Sequence, residues 1–472
     1  MKLTDKQQMM VDAMNRDILV SAAAGSGKTA TMVETVIDKI NDKDDPVDID
    51  EILMVTFSNL AANQMKEKIR ARFEEILAVC PENEHIARQL VLVNRADICT
   101  IDKFCKKLVM ENYDRIGIDA GFSIADDGTV CIMQNEVLDS IFERKYSELI
   151  AGEQCVSEYA DFGMLCNYIC KDNEDDRALR ASIVKLYKVA VKQPNPRRWL
   201  KEAIAATNVK TVDKLEKQPW VKAMLAQQRR INDSCKRNAE AIRALAEGLN
   251  DSTPVDKLLT GFLDKLNNIS AQTTYSGMYS AVKSSPRLVF YRDKWVKAGE
   301  NPEIIDKIKS CYEAVKGELA SGFVLKNTPE ELVDMYTQYR KYYVPLILLT
   351  LEFMDEYNAH KKKKKLFEFS DVSHMAYDLV CRTDCRGCVV PTELAKDISR
   401  NYRYIFIDEY QDGDYIQEGI LTCISQNWDN IHNMYMIGDV KQSIYGFRNA
   451  RPDIFLGKYN TYKECRELSA LT

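Results

Sequence analysis

The sequence predicts an α/β protein: a parallel sheet with crossover helices, interrupted by a large, mostly α-helical insertion. Three observations carry this. Five short apolar runs, LVS (19–21), EILMVTF (51–57), DICTI (97–101), YRYIFID (402–408) and NMYMIGD (433–439), each end in a polar residue or turn, as buried parallel strands do. Helical patterns such as NLAANQMKEKIRARFEEIL separate them, and alternating strand and helix calls for crossover connections. Between the third and fourth runs lie about 250 residues of different character. There VLDSIFERKYSELI, LRASIVKLYKVAV, VDKLLTGFLDKLNNI and PEELVDMYTQYRKYYVPLILLTLEFMDEY carry apolar residues at three- and four-residue spacing, the mark of amphipathic helices.

The first run opens into Ala22-Ala23-Ala24-Gly25-Ser26-Gly27-Lys28-Thr29, followed by the helical pattern ATMVETVIDKI. A strand, a small-residue loop and a helix start leave several backbone N–H groups pointing inward, which suits a polyphosphate. Lys28 supplies positive charge for the β- and γ-phosphates, and Thr29 a hydroxyl for Mg²⁺. The usual pattern has glycine at the position of Ala22, and alanine is small enough for the same turn. The competing reading is a chance Gly-Ser-Gly linker. The flanking strand and helix favour a nucleoside triphosphate site.

Composition sets the frame. A chain of 472 residues has room for two or three domains, and 46% apolar with 29% charged residues is ordinary for a soluble globular protein. A net charge of −6 argues against coating nucleic acid wholesale but leaves room for a local basic groove. The N-terminus MKLTDKQQMM lacks the apolar core of a signal peptide, and VPLILLTLEFM (344–354) is too short to span a bilayer. The expectation is a cytoplasmic protein with no membrane partner, its fourteen cysteines reduced. Cys381, Cys385 and Cys388 in CRTDCRGC read either as a surface loop or as part of a metal site with no obvious fourth ligand. The lysine run 361–365 reads as a solvated helix end, with a nucleic-acid contact as the alternative.

The fourth and fifth runs complete a triphosphate site. In YIFIDEYQD (404–412), Asp408 would face the metal and Glu409 would polarise the attacking water, although a carboxylate pair after a strand also caps helices. In MIGDVKQSIYGFR (436–448), Gln442 is placed to sense the γ-phosphate. Tyr445, Phe447 and Arg448 form an aromatic–basic cluster of the kind that stacks bases, though aromatics two apart also serve as core.

Taken in order, AAAGSGKT, VTFSNLAANQMKEKI, ICTIDKFC, FIDEYQD and GDVKQSIYGFRNARPDIF resemble the superfamily 1A DNA helicases of the UvrD/Rep/RecB type. LTDKQ at the start, GFSIADD, KLFEFSDVSHMA and VKQSIY narrow the resemblance to the A subunits of AddAB-type helicase–nucleases. The resemblance implies a RecA-like P-loop NTPase domain in two parts, 1–115 and 366–472, interrupted by a helical insertion domain at 116–365. It implies ATP and Mg²⁺ as cofactors, with Gln7 reading the adenine edge beside Thr4. The phosphate loop would be 22–29, the metal ligands Thr29 and Asp408, the water-polarising carboxylate Glu409 and the γ-phosphate sensor Gln442. On the DNA side it implies Phe57, Asn59, Thr100, Tyr445, Phe447 and Arg448.

The expected activity is ATP-dependent 3′→5′ unwinding in double-strand-break repair and recombination. The expected partners are single-stranded and duplex DNA and a B-type helicase–nuclease protein. Two departures stand out. Asp102 occupies the family's histidine position, where an acid beside a phosphodiester is repulsive unless Lys103 offsets it. The chain also stops at RELSALT, about where the family continues into a second motor domain with its arginine finger, worth on the order of 10³–10⁵ in rate. The expectation is therefore an excised piece or truncated reading frame, poorly active alone. The alternatives are a non-hydrolysing ATP- and DNA-binding module acting with a partner and, more remotely, an unrelated P-loop kinase or metabolic ATPase.

Overall fold

Five of the predicted runs become strands of one parallel sheet: β1 (Ile18–Ser21), β2 (Ile52–Thr56), β3 (Ile98–Thr100), β8 (Tyr404–Ile407) and β9 (Met434–Gly438). The computed structural model describes residues 4–12, 16–23, 26–152, 161–171, 175–284, 290, 292–321, 325–443 and 449–462. Strand order is β1-β9-β8-β2-β3, so the two strands from the end of the chain are inserted between the first two. The registers Ser21↔Gly438, Ile407↔Met436, Val55↔Ile407 and Thr56↔Thr100 bring all five carboxyl ends to one edge.

Alternation along the strands builds two cores. Leu19, Leu53, Val55, Ile405, Ile407, Met434 and Met436 face one side, under the helices Ile101–Glu111, Phe369–Val380 and Tyr415–Ile424. Ile18, Val20, Ile52, Met54, Phe406, Tyr435 and Ile437 face the other, under α1 (Asp5–Asp12), α2 (Lys28–Ile40) and α3 (Asn59–Val79). Odd and even residues thus go to opposite layers, which is why these runs read as continuously apolar. Each fully buried Leu, Ile or Phe contributes about 1.5–3 kcal/mol of transfer free energy.

Two compact units emerge. The first comprises Met1–Ser147, Arg177–Trp199 and Thr350–Thr472; the second comprises Glu148–Asp176 and Leu200–Leu349. The expected boundaries at 115/116 and 365/366 both fall within the first unit. Among the described residues the second unit holds helices and no strand. One of its apolar clusters gathers Ile242, Leu259, Phe262, Leu266, Ile308 and Tyr312; another gathers Leu215, Val221, Ile269, Tyr275 and Met278.

Small elements complete the first unit. In β4 (Ser123–Ile124) and β5 (Leu366–Phe367), the GFSIADD and KLFEFSD segments pair in parallel. The segment CRTDCRGCVVP is a hairpin, β6 (Cys381–Thr383) with β7 (Val389–Pro391). Asp384 Oδ1 accepts from the N–H groups of Arg386 and Cys388 in its turn, and Gly387 takes a left-handed φ of 84°. Cys381 is buried beside Cys423, whereas Cys385 and Cys388 are exposed at the turn.

The lysine run divides as well. Lys362 to Lys365 are exposed, but Lys361 is only 1% exposed and is no part of a solvated helix end. Its ammonium lies 2.5 Å from Asp371 Oδ1, donates to the Tyr187 hydroxyl at 3.1 Å and sits 4.3 Å from the centre of the Tyr357 ring. Among the described residues no helix is long and apolar enough to cross a membrane.

Candidate nucleotide site

The loop after β1 is shaped by its neighbours. Ala22 is buried and its N–H donates to Gly438 O at 3.1 Å, while Ser26 N–H donates to Ala23 O at 3.2 Å. Gly27 caps α2 with φ 83°, a left-handed conformation that glycine adopts without penalty. A Cβ there would also lie 3.2 Å from Gln7 Nε2. Lys28 then begins α2, with Thr29 in its first turn. Lys28 Nζ and Ser26 Oγ are buried without a hydrogen-bond partner among the described residues. Together with the unpaired N–H groups of a helix start, they make an anion-binding surface. Ala24 and Gly25 lie outside the described residues.

Gln7 ties the N-terminus to this loop. Its Nε2 donates to Ser26 O at 3.1 Å and its Oε1 accepts from Thr4 N–H at 3.0 Å. The Thr4 hydroxyl accepts from Gln7 N–H at 3.3 Å. One amide N–H and one lone pair of Gln7 are left over, enough to read one edge of a base.

The carboxylates arrive from β8. Asp408 is 6% exposed; its N–H donates to Val55 O, and its Oδ1 accepts from Glu409 N–H at 2.9 Å. Glu409 takes a φ of 50°, strained for a residue with a side chain. This turn carries its carboxylate across to the phosphate loop, where Oε2 lies 3.5 Å from Lys28 Nζ. Burial, then repulsion from Glu409, pushes the Asp408 carboxyl up to about 6, against the Glu409 N–H and the charges of Lys28 and Lys68. Asp412 is raised by the same two causes.

Sequence reasoning missed Gln411, which joins the two acidic motifs. It is buried; its Nε2 donates to Glu409 Oε2 at 2.8 Å and to Asp412 Oδ2 at 3.1 Å, and its Oε1 accepts from Asp439 N–H at 2.9 Å. Asp439 in turn accepts from Gln442 Nε2 at 2.6 Å, which holds the expected sensor in place. An amide two residues after a strand-end carboxylate pair was the available signal. Gly438 is needed for this contact, since a Cβ there would sit 2.3 Å from Gln411 Oε1.

The donor set suits a magnesium–triphosphate complex. Among the described residues no group of three His, Cys, Asp or Glu side chains encloses a metal. Mg²⁺ at phosphates takes one or two protein oxygens and fills the rest with phosphate and water. A buried carboxylate close to an ammonium that makes no hydrogen bond among the described residues fits that pattern.

Of the residues expected on the DNA side, Phe57, Asn59 and Thr100 lie among the described residues. Phe57 is half-buried and Asn59 exposed at the end of β2, where Ser58 caps α3. Phe57 and Asp408 line one small cavity with Thr56, Ile101 and Tyr410, so the two faces of the sheet end are adjacent there. Thr100 is buried, and its hydroxyl accepts from Lys103 N–H as the cap of the following helix. It sits on the opposite edge strand from β1, about 19 Å away at ~4.8 Å per strand. Asp102 is exposed. Tyr445, Phe447 and Arg448 lie outside the described residues.

Comparison with known proteins follows the same outline. The sequence matches the family described as UvrD/REP helicase N-terminal domain over residues 3–463. Among ATP-dependent helicase/nuclease A subunits, that of Clostridium novyi is 33% identical, over 98% of this chain and 36% of that protein. Proteins of the same description from Lachnoclostridium phytofermentans and Bacillus velezensis are 34% and 32% identical, and 33% and 37% of their lengths are covered. The chain thus spans about a third of the length of the curated relatives it matches. On a match that runs through nearly every residue, the chain belongs to the UvrD/REP helicase N-terminal domain family.

Proposed function

We propose that this chain is the ATP-binding motor part of an ATP-dependent DNA helicase, coupling hydrolysis to 3′→5′ movement along a single strand. The carrying observation is the approach of Lys28 Nζ to Glu409 Oε2 at 3.5 Å, across two strand ends separated by most of the chain. On this reading residues 1–115 and 366–472 form a RecA-like P-loop domain and 116–365 its helical insertion. The relatives' description as helicase/nuclease A subunits supports DNA as substrate and a further subunit as partner, which this reading takes to be a B-type helicase–nuclease protein. On the same reading the chain acts in double-strand-break repair and recombination in the cytoplasm.

Each residue then has a task. Gln7 and Thr4 orient the base; the backbone of 22–29 and Lys28 hold the β- and γ-phosphates. Thr29 and Asp408 would hold Mg²⁺, which when bound supplies positive charge against the phosphate oxygens. Glu409 takes a proton from the attacking water, and its strained backbone fixes where that carboxylate points. Gln442, held by Asp439, reports the γ-phosphate to the segment that follows it. Phe57, Asn59, Tyr445, Phe447 and Arg448 contact the single strand. Thr100 serves there chiefly by starting the helix that carries Asp102 and Lys103.

The experiment is nucleotide-dependent melting. ATP with Mg²⁺ should raise the melting temperature of the chain, and Lys28→Ala should abolish that rise. Equal stabilisation of the variant would contradict the site.

A further inference from the structure

A cleft in the first unit lies apart from the nucleotide site. One wall is the helix Asp127–Ala151, which contributes Asp127, Cys131, Asn135 and Leu138. The other is the helix Arg177–Ala190 and the residues just after it, which contribute Arg177, Arg180, Lys185, Lys188 and Lys192. Five cations therefore face a cleft lined by a single carboxylate, in a chain whose net charge is −6. Their direction is set by the core: Leu179, Ile183, Tyr187 and Ala190 bury the opposite face of the same helix. Tyr187 is further held by Lys361 and by edge contacts with Phe353 and Tyr357. Arg180 is engaged with Asp139 at 2.6 Å and lies over the Phe142 ring. Lys185, Lys188 and Lys192 form no ion pair among the described residues. Lys185 and Lys188 stand about one helical turn apart, roughly 5 Å, and Lys192 lies in the turn just past the helix end.

The end of this cationic row meets the motor. Asn449 Nδ2 donates to the backbone carbonyl of Lys192 at 3.3 Å. Asn449 directly follows Tyr445, Phe447 and Arg448 in sequence, the residues assigned to base stacking. His374 Nε2 lies 2.8 Å from the Val191 carbonyl and braces the same stretch.

The geometry points to this cleft as a track for the phosphodiester backbone of a single DNA strand, with Lys185, Lys188 and Lys192 facing its phosphates. The assignment rests on the reading of the chain as a DNA motor. A duplex is disfavoured because Val130, Val184 and the exposed Val189 give the cleft an apolar lining, suited to unpaired bases. The row from Lys185 to Lys192 would hold roughly 10 Å of strand, at about 1.5 Å of rise per residue.

The test measures binding of a fluorescein-labelled oligothymidylate to the full chain by anisotropy over a range of salt concentrations. The variant is Lys185→Gln/Lys188→Gln/Lys192→Gln, and the charge-matched control is Lys217→Gln/Lys222→Gln/Lys257→Gln in the second unit. The three cleft lysines should account for about 2 of the slope of log affinity against log salt, at ~0.7 per phosphate on a single strand. Affinity at low salt should fall on the order of 10-fold, with the control close to wild type. An unchanged slope in the cleft variant, an equal loss in the control, or a loss confined to blunt duplex would each overturn the track. In those cases wild-type binding would leave the motor reading standing. If the wild-type chain binds no oligonucleotide at all, both fall together.

Discussion

The side-chain carbonyl of Gln411 accepts a hydrogen bond from the backbone N–H of Asp439 at 2.9 Å, locking the end of β8 to the end of β9. The same amide donates to Glu409, and Asp439 accepts from Gln442, so the carboxylate proposed to polarise water and the amide proposed to sense the γ-phosphate share one buried linker. Movement of either strand end is therefore felt by the other.

That linker makes Gly438 sensitive. Gly438→Ala would bring a Cβ to 2.3 Å from Gln411 Oε1 and 3.2 Å from Phe455 Cε2. Overpacking of this kind costs about 1–3 kcal/mol, to be measured by chemical denaturation. ATP-dependent stabilisation should fall in parallel, because Glu409 loses its positioning partner. A variant as stable as wild type would show that the strand ends are not rigidly joined.

Lys361 and Lys364 stand one turn apart in the same helix and should behave oppositely. Lys361→Ala removes a buried ammonium and leaves the half-buried Asp371 carboxylate without its cation, which costs about 3 kcal/mol. Lys364→Ala removes an exposed pair with Glu136 and should cost no more than about 1 kcal/mol. Equal losses in thermal or chemical denaturation would contradict the buried network.

Asp408 carries a stability cost at neutral pH. Its folded-state value of about 6 lies above the ordinary carboxylate value of ~3.9, so the folded chain holds this proton more tightly than the unfolded one. That stabilisation is complete below the unfolded value and is lost as pH rises through about 6. Without nucleotide or metal, Asp408→Asn should therefore melt higher than wild type at pH 7.5, and the gap should close towards pH 4. A gap independent of pH would contradict the buried-charge account.

On the DNA side, Phe57→Ala and Phe447→Ala should each weaken binding of a single-stranded oligonucleotide by about 1–3 kcal/mol, the usual range for a lost stacking partner. Anisotropy measures this directly. Wild-type affinity in either variant would remove that residue from the interface.

Legibility followed locality. The five strands were readable because burial on both faces leaves an unbroken apolar run, and the phosphate loop because its glycines and Lys28 sit within one turn. Gln411 was not readable as a linker, since its partner at Asp439 is set by the register of β8 with β9. Nor was the buried member of the lysine run, because Tyr187 lies 174 residues from Lys361 and only the folded chain fixes which lysine faces inward. Thr100 is read from the resemblance only as a DNA contact, although a threonine ahead of a helical pattern is also a cap signal, and capping is the bond its hydroxyl makes. The two-residue strands β4 and β5 are too short to leave a period.

The most direct measurement is a crystal structure of this chain with a non-hydrolysable ATP analogue and Mg²⁺. The γ-phosphate is expected against Lys28 Nζ and the metal between Thr29 and Asp408, with Glu409 and Gln442 facing the phosphate. A triphosphate bound elsewhere, or bound at the loop with Asp408 and Glu409 turned away from it, would contradict the account.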